Sequence, residues 1–435
     1  MNSLPSGWKT TRLSNVADVM FSNVDKHTLD DEVPVRLCNY VDVYKNDNIT
    51  SAIEFMEASA DEREIGRFQI QRNDVLVTKD SETPNDIAIP AFVTEELPGV
   101  LCGYHLAMIR PRSARIRGSY LFWLHASKQF RAHYEANAVG VTRFGLSQNQ
   151  FKSVSIPLPP LPEQQRIVAY LDASCASIDA AVSAKRRQLE TLEALRSSII
   201  HRAVTEGLNP KVKKKPSGLD WAFEIPAHWQ VRQIKRSCSL VRGQFTHRPR
   251  NDPALYDGPY PFVQTGDITA AGKYIRTYSQ TLNELGLSVS KRFPRGTLVM
   301  SIAANIGDVA ILDFEACFPD SMIGMIPGHK TNLDFLYYLM RAMRSIMLRS
   351  AVQSTQLNLN YVRIGTNFAP FPPLKEQAAI AEYLDAKERE SHLISNTIES
   401  QIETLTAYRK SLIHECVTGQ RRITEKDLNK VAAHA

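Results

Sequence analysis

The sequence predicts an α+β chain with an internal pseudo-two-fold repeat: two strand-rich domains, each followed by a long helix. Three observations carry this. A helix-like stretch occurs twice, as P-P-L-P-E-Q-Q-R-I-V-A-Y-L-D-A at 159–173 and P-P-L-K-E-Q-A-A-I-A-E-Y-L-D-A at 372–386. The likeness continues in Q-L-E-T-L-E-A-L-R-S-S-I-I-H-R-A-V-T (188–205) and Q-I-E-T-L-T-A-Y-R-K-S-L-I-H-E-C-V-T (401–418), at one offset of 213 throughout. Each copy also follows a run of short β-type segments. A period this long marks duplication of a whole domain-plus-helix unit, not a solenoid repeat.

Punctuation bounds both helices. The proline clusters resist helix, so the chain enters extended, with Pro162 acceptable in a first turn. Glu163 and Glu376 sit where the positive end of a helix dipole favours acid. Gly207 and Gly419 follow the last periodic residues, where a left-handed cap is wanted. Between these limits Leu171, Cys175, Ile178, Val182, Leu189, Leu192, Ile199 and Ala203 recur in steps of four and three, broken by Lys185 and Arg196. This spacing is a coiled-coil seam. The second copy carries Ile398, Ile402, Leu405 and Leu412 on the same track but starts polar, with Glu388, Ser391 and Ser395. Ordinary core packing of a helical domain would give the same seam; the doubling favours the two long helices packing on each other. A helix from Glu163 to Glu206 is roughly 65 Å long at 1.5 Å per residue.

At 435 residues the chain exceeds one core, and two or three domains are expected. A hydrophobic share of 43% and a charged share of 23% are those of an ordinary globular protein. No apolar run approaches a membrane span, and the start has no hydrophobic signal segment. Six scattered cysteines (38, 102, 175, 238, 317, 416) without a C-x-x-C pair read as reduced, mostly buried residues of a cytoplasmic protein. The net charge of +6 is compatible with nucleic acid but does not by itself argue for it. The basic run K-V-K-K-K (211–215) reads as a solvated hinge in a linker over 209–220.

Strand-like segments in the first domain are 16–20, 33–38, 74–78 and 87–93, where Val, Ile, Phe and Thr recur between turn residues. Y-L-F-W-L-H-A-S-K-Q-F-R (120–131) has helical spacing. The second domain repeats this plan loosely. I-P-A-H-W (225–229) answers L-P-S-G-W (4–8), 295–311 answers 73–89 with Asp308 on Asp86, and 335–344 answers the helix at Tyr120. The domains have diverged further than the helices, which suits two readers of different targets on a shared frame.

Catalytic signatures are absent: no phosphate loop, no strand-borne G-x-G-x-x-G, no H-E-x-x-H, no Cys/His quartet, no nucleophile elbow and no N-P-P-[FYW] methylation motif. His201 and His414 occupy equivalent repeat positions, yet each stands alone near a helix end, the place for a bond to terminal carbonyls rather than a metal pair. No catalytic residue, metal site or cofactor is expected.

With P-L-P-P-L-P-E-Q-Q (157–165), P-F-P-P-L-K-E-Q (370–377), N-D-V-L-V against G-T-L-V-M, and R-L-C-N-Y-V-D-V-Y (36–44) against F-V-Q-T-G-D-I (262–268), the chain resembles the specificity subunits of type I restriction–modification systems. The resemblance implies two target-recognition domains, at 1–158 and 221–371. It implies helices over 159–208 and 372–420, forming an antiparallel coiled coil, and leaves 421–435 as a tail. It further implies one half of an asymmetric bipartite double-stranded DNA site per domain, two docked methyltransferase subunits, and motor–nuclease subunits in the full complex. S-adenosylmethionine, ATP and Mg²⁺ then belong to those partners. A ~65 Å rod bounds the half-site separation at roughly 19 base pairs. A coiled-coil scaffold with duplicated protein-binding domains and no DNA contact is the competing reading.

Base reading needs Arg or Lys toward guanine, Asn or Gln toward adenine, and hydroxyl or cationic groups toward phosphate. In the first domain the candidates are Asn39, Tyr40, Tyr44, Lys45, Thr78, Lys79, Thr142 and Arg143. In the second they are Arg242, Arg248, Arg250, Gln264, Thr265, Ser301, Asn305, Gln356 and Asn358. Leu171, Ile178, Val182, Leu189, Leu192, Ile199, Ile398, Ile402, Leu405 and Leu412 are expected to act only as spacer.

Overall fold

The repeated P-P-L-x-E-Q stretch opens two helices, Leu161–Glu206 and Leu374–Thr418, of 46 and 45 residues. A computed structural model describes residues 4–303, 305–349 and 361–432. Two units follow from the packing: Met1–Arg186 with Glu399–Ala435, and Arg187–Ile398. Each unit therefore holds the start of one long helix, the end of the other, and one strand-rich domain.

The glutamine of the repeated motif fixes each helix start. Gln164 is fully buried; its Oε1 accepts from the Arg117 backbone N–H at 2.9 Å, and its Nε2 donates to the carbonyls of Arg115 and Pro159 at 3.2 and 2.9 Å. Gln377, equally buried, accepts from the Asn332 N–H at 2.8 Å and donates to Lys330 and Pro372 at 3.1 and 2.9 Å. Backbone groups at a buried junction must find partners, and one amide side chain satisfies three of them. The aspartate of L-D-A adds a second tether. Asp172 accepts from the Trp123 indole N–H at 2.8 Å, and Asp385 from the Tyr338 hydroxyl at 2.6 Å.

The other repeated motif closes the helix ends. Gly207 and Gly419 have φ of +75° and +79°, the left-handed cap. A Cβ on Gly419 would meet Pro5 at 2.6 Å, and one on Gly207 would meet Trp229 at 3.1 Å. L-P-S-G-W thus packs on the end of the second helix, and I-P-A-H-W on the end of the first.

Within each unit the helix segments run antiparallel. In the first, the Asp179 carboxylate meets Arg409 at 3.0 Å, while Leu171, Cys175, Ile178, Leu412 and Cys416 share one buried core. In the second, Arg196 meets Glu388, and Ile200, Ala203 and Val204 pack with Ile380, Ala381 and Leu384. The place of Glu388 in the polar start of the second seam is thereby explained. Arg196 Nε donates to Glu388 at 2.7 Å and Arg341 Nη1 donates at 2.8 Å. Burial pushes the Glu388 carboxyl upward, but the two guanidinium groups hold it below its ordinary value. Towards the middle of the helices the seam is looser: Val182, Leu189, Leu192, Ile199, Ile402 and Leu405 are half-buried, and Ile398 is buried.

Both strand-rich domains share one sheet plan. In the first, the five-stranded order is Ala17–Phe21, Leu106–Pro111, Val75–Thr78, Pro90–Val93, Asn48–Ile49. In the second it is Cys238–Arg242, Met322–Pro327, Leu298–Ser301, Val309–Leu312, Tyr274–Ile275. Three neighbouring pairs are antiparallel and the last is parallel in each. A smaller sheet also matches. Val33–Cys38 pairs antiparallel with Met56–Ala60 and parallel with Val100–Cys102, as Tyr256–Phe262 does with Gln280–Leu282 and Ala316–Cys317.

Several expectations change. The end of the basic run is no hinge: Lys214–Leu219 pairs with Ala222–Pro226, Lys214 bonds Glu206 at 2.6 Å, and Lys215 donates to the Trp229 carbonyl at 2.7 Å, while Lys211 and Lys213 are exposed before the strand. The tail contains the helix Glu425–Ala432, whose Leu428 and Val431 pack on the first core. The stretch at Tyr120 is two helices, Gly118–Ala126 and Lys128–Asn137, because Ser127 caps the second by accepting from the Phe130 N–H. By length and composition the first long helix does carry an 18-residue window apolar enough to cross a membrane. Small alanines raise its apolarity, and its larger apolar side chains Leu171 and Ile178 face the core. All six cysteines are free and buried. The histidines contact neighbouring segments instead of the carbonyls closing their own helices. His201 bonds the Trp221 carbonyl at 2.8 Å, and His414 the Ser127 hydroxyl at 3.3 Å.

Candidate nucleic-acid interface

In the first unit the three candidate segments converge. Asn39 opens the short helix Tyr40–Lys45, with its N–H donating to Asp42 at 2.7 Å. Tyr40 and Tyr44 stack at 5.5 Å, and Tyr40 bonds Ser81. The Tyr44 hydroxyl donates to Asp86; that bond, with the nearby charge, raises its pKa. Lys45 is exposed at the end of this helix. The hairpin Val139–Gly140 and Phe144–Gly145 attaches to the second segment, with Phe144 opposite Ser81. Its tip bears Thr142, exposed, and Val141, 93% exposed.

Arg143 closes the loop of this hairpin, just before Phe144. Its Nε and Nη2 both donate to Asp80 Oδ1, at 3.1 and 2.6 Å, while His105 Nδ1 meets the other carboxylate oxygen at 2.8 Å. Lys79 is directed inward. Its ammonium donates to the Ser22 carbonyl at 3.0 Å and lies 4.5 Å from the Tyr104 ring centre; burial lowers its pKa. Thr78 is a correction: it is wholly buried, and its hydroxyl accepts from the Ile89 N–H at 2.9 Å, so it presents nothing to a ligand.

In the second unit, Gln264 and Thr265 open the helix Thr265–Ala270, and the Gln264 N–H donates to Asp267 at 2.7 Å. This repeats the Asn39–Asp42 geometry. The Gln264 amide donates to Gln280 at 2.9 Å. Gln264, Gln280, Arg250, Phe245, Tyr256 and Ser321 line an open cavity of ≈ 610 Å³. Three arginines gather at Asp320: Arg250 bonds its carboxylate, Arg248 lies 3.8 Å from it, and Arg242 Nε donates to its backbone carbonyl at 2.8 Å. Asn305 is exposed and donates to Thr269 at 2.8 Å. Ser301 is the second correction, being wholly buried with its hydroxyl donating to the Ala303 carbonyl at 2.6 Å. Gln356 and Asn358 lie outside the described residues.

Sequence reasoning passed over Asp80, Tyr104, His105, Gln280 and Asp320. Asp80 is next to the candidate Lys79 in sequence; the others carry no local motif and meet the arginines and amides through the fold. Among the described residues no three His, Cys, Asp or Glu side chains gather as metal ligands.

The comparisons agree with one another. A protein of Methanocaldococcus jannaschii assigned as the MjaX specificity subunit of a type I restriction enzyme is 24% identical over 440 residues, covering 97% of this chain and 96% of that one. The type I restriction enzyme EcoBI specificity subunit of Escherichia coli is 19% identical over 309 residues, covering 69% of this chain and 65% of its own. A chain solved in work on complex assembly and conformational transition of the type I R-M system superposes with a TM-score of 0.75 at 17% identity, over 97% of this chain and 100% of that one. The HsdS subunit from Thermoanaerobacter tengcongensis gives 0.55 at 19%, covering 96% and 98%. The two solved structures show the shared fold. The type I restriction modification DNA specificity domain matches over residues 5–191 and again over 226–404. The chain belongs to that family and carries its domain twice.

Proposed function

We propose that this chain is the non-catalytic DNA-specificity subunit of a type I restriction–modification complex. Residues 1–158 and 221–371 each recognise one half of an asymmetric bipartite site. The helices within 159–208 and 372–420 set the half-site spacing and dock two methyltransferase subunits; motor–nuclease subunits join the full complex, in the cytoplasm where the DNA lies. The carrying observation is one sheet plan used twice, each copy joined to its long helix through the same buried glutamine, with unlike side chains on its loops. A stacked tyrosine pair and Arg143 face one target; an amide pair and three arginines face the other. Leu195 and Leu393, 54% and 70% exposed on the long helices, offer apolar surface to a docked subunit.

The proposed DNA contacts are Asn39, Tyr40, Tyr44, Lys45, Thr142 and Arg143 on one side, with Lys79 in support. On the other they are Arg242, Arg248, Arg250, Gln264, Thr265 and Asn305. The test is to map methylated bases in cells expressing this chain with its methyltransferase partner. Two unlike half-sites at a fixed spacing are expected; methylation without sequence preference would refute the reading, and a complex indifferent to DNA would favour the scaffold.

A further inference from the structure

Both proposed reading surfaces hold a carboxylate where a polyanion would approach. A carboxylate there weakens binding to every DNA sequence alike. Its presence calls for an effect on specificity instead. In the first unit, Asp80 engages Arg143 through both Nε and Nη2, at 3.1 and 2.6 Å, which fixes the guanidinium plane. His105, at 2.8 Å, fixes the carboxylate in turn. The Asp80 side chain is 15% exposed and that of Arg143 52% exposed, so the acid lies beneath and the cation faces outward.

The second unit holds a simpler pair on different segments: Arg250 meets Asp320 through Nη2 alone, with Arg248 3.8 Å from the same carboxylate. Asp80 follows the strand Val75–Thr78, whereas Asp320 precedes Met322–Pro327. Asp320 is 32% exposed against 46% for Arg250, again the deeper member. A planar guanidinium held at one edge presents its remaining donors as a fork, and the N7 and O6 acceptors of guanine match that fork.

We propose that Asp80 and Asp320 are specificity-determining positioning residues, fixing Arg143 and Arg250 for guanine edges in the two half-sites. This rests on the DNA-specificity reading above. The experiment uses the full chain with its methyltransferase partner, carrying Asp80→Asn or Asp320→Asn. Methylated sites are mapped, and the salt dependence of binding is measured. Asp80→Asn should reduce guanine discrimination about tenfold at one position of one half-site. The other half-site and the salt slope should stay unchanged, and Arg143→Lys should relax the same position. Asp320→Asn should act on the opposite half-site. The untouched half-site reports folding within the same molecule, and Asp80→Glu should restore part of the preference. Unchanged preference, or an equal loss on all sequences with a shallower salt slope, would overturn the assignment in favour of phosphate contacts. A wild-type complex without sequence preference would instead sink the DNA reading itself.

Discussion

Asp86 in the first unit and Asp308 in the second sit at one repeat position and lock the same short helix to the same loop. Asp86 accepts from the Tyr44 hydroxyl, Asp308 from that of Thr269 at 2.9 Å. A few residues away the likeness ends. An aromatic stack and a projecting hairpin occupy one unit; an amide pair and an open cavity occupy the other. The lesson is where substitution is cheap. Buried backbone donors and acceptors demand a fixed partner, so the frame repeats, while side chains facing solvent carry no such debt and are free to differ.

The largest expected effect probes the shared frame. Gln164→Ala strands one backbone N–H and two carbonyls and should cost about 3 kcal/mol, and Gln377→Ala should cost the same. Thermal unfolding checks this, and unequal losses would break the equivalence of the units. Next comes the cross-helix charge. Glu388→Ala removes the acid that half-buried Arg196 and Arg341 share, leaving Arg196 only the exposed Glu193, a loss of about 2 kcal/mol. Because the folded-state pKa of Glu388 lies below its unfolded value, its contribution is complete above about pH 4.3 and is lost as pH falls through the lowered folded value. Acid titration of wild type against Glu388→Gln reads this difference.

Arg143→Ala should weaken binding of the assembled methyltransferase roughly tenfold, through one half-site alone. Equal weakening on unrelated DNA would reduce the first unit's surface to a phosphate contact. The smallest effect is at Arg409, the repeat counterpart of Arg196. Its acid partners, Asp179 and Asp47, are 54% and 67% exposed. Solvent screening leaves Arg409→Ala a cost of about 0.5 kcal/mol. A loss matching that of Glu388→Ala would show the two halves of the helix pair to be alike after all.

The helices, their caps and the duplication were legible because they rest on local rules: proline entry, glycine exit and apolar spacing. The role of Gln164 was not, since a polar residue in a first turn reads as solvated until tertiary structure buries it. Lys214 and Lys215 misled for a related reason: charge reads as solvated loop, yet in a hairpin their neighbours alternate and their ammonium groups find Glu206 and Trp229. Thr78 and Ser301 are the last residues of their strands, and whether a strand-end hydroxyl points out or in is decided by sheet register alone. The arginines were legible from composition. Their carboxylate partners, 63 and 70 positions away, were not.

The central claim is that one frame, used twice, holds two unlike readers at a set spacing. Inserting seven residues into each long helix at facing positions, near 188 and 400, keeps the seam and lengthens the rod by roughly 10 Å. Methylated sites are then mapped as for the wild type. The account predicts that the original site is no longer modified and that any new sites keep both half-sites with a longer spacer. Continued modification of the original site would contradict it.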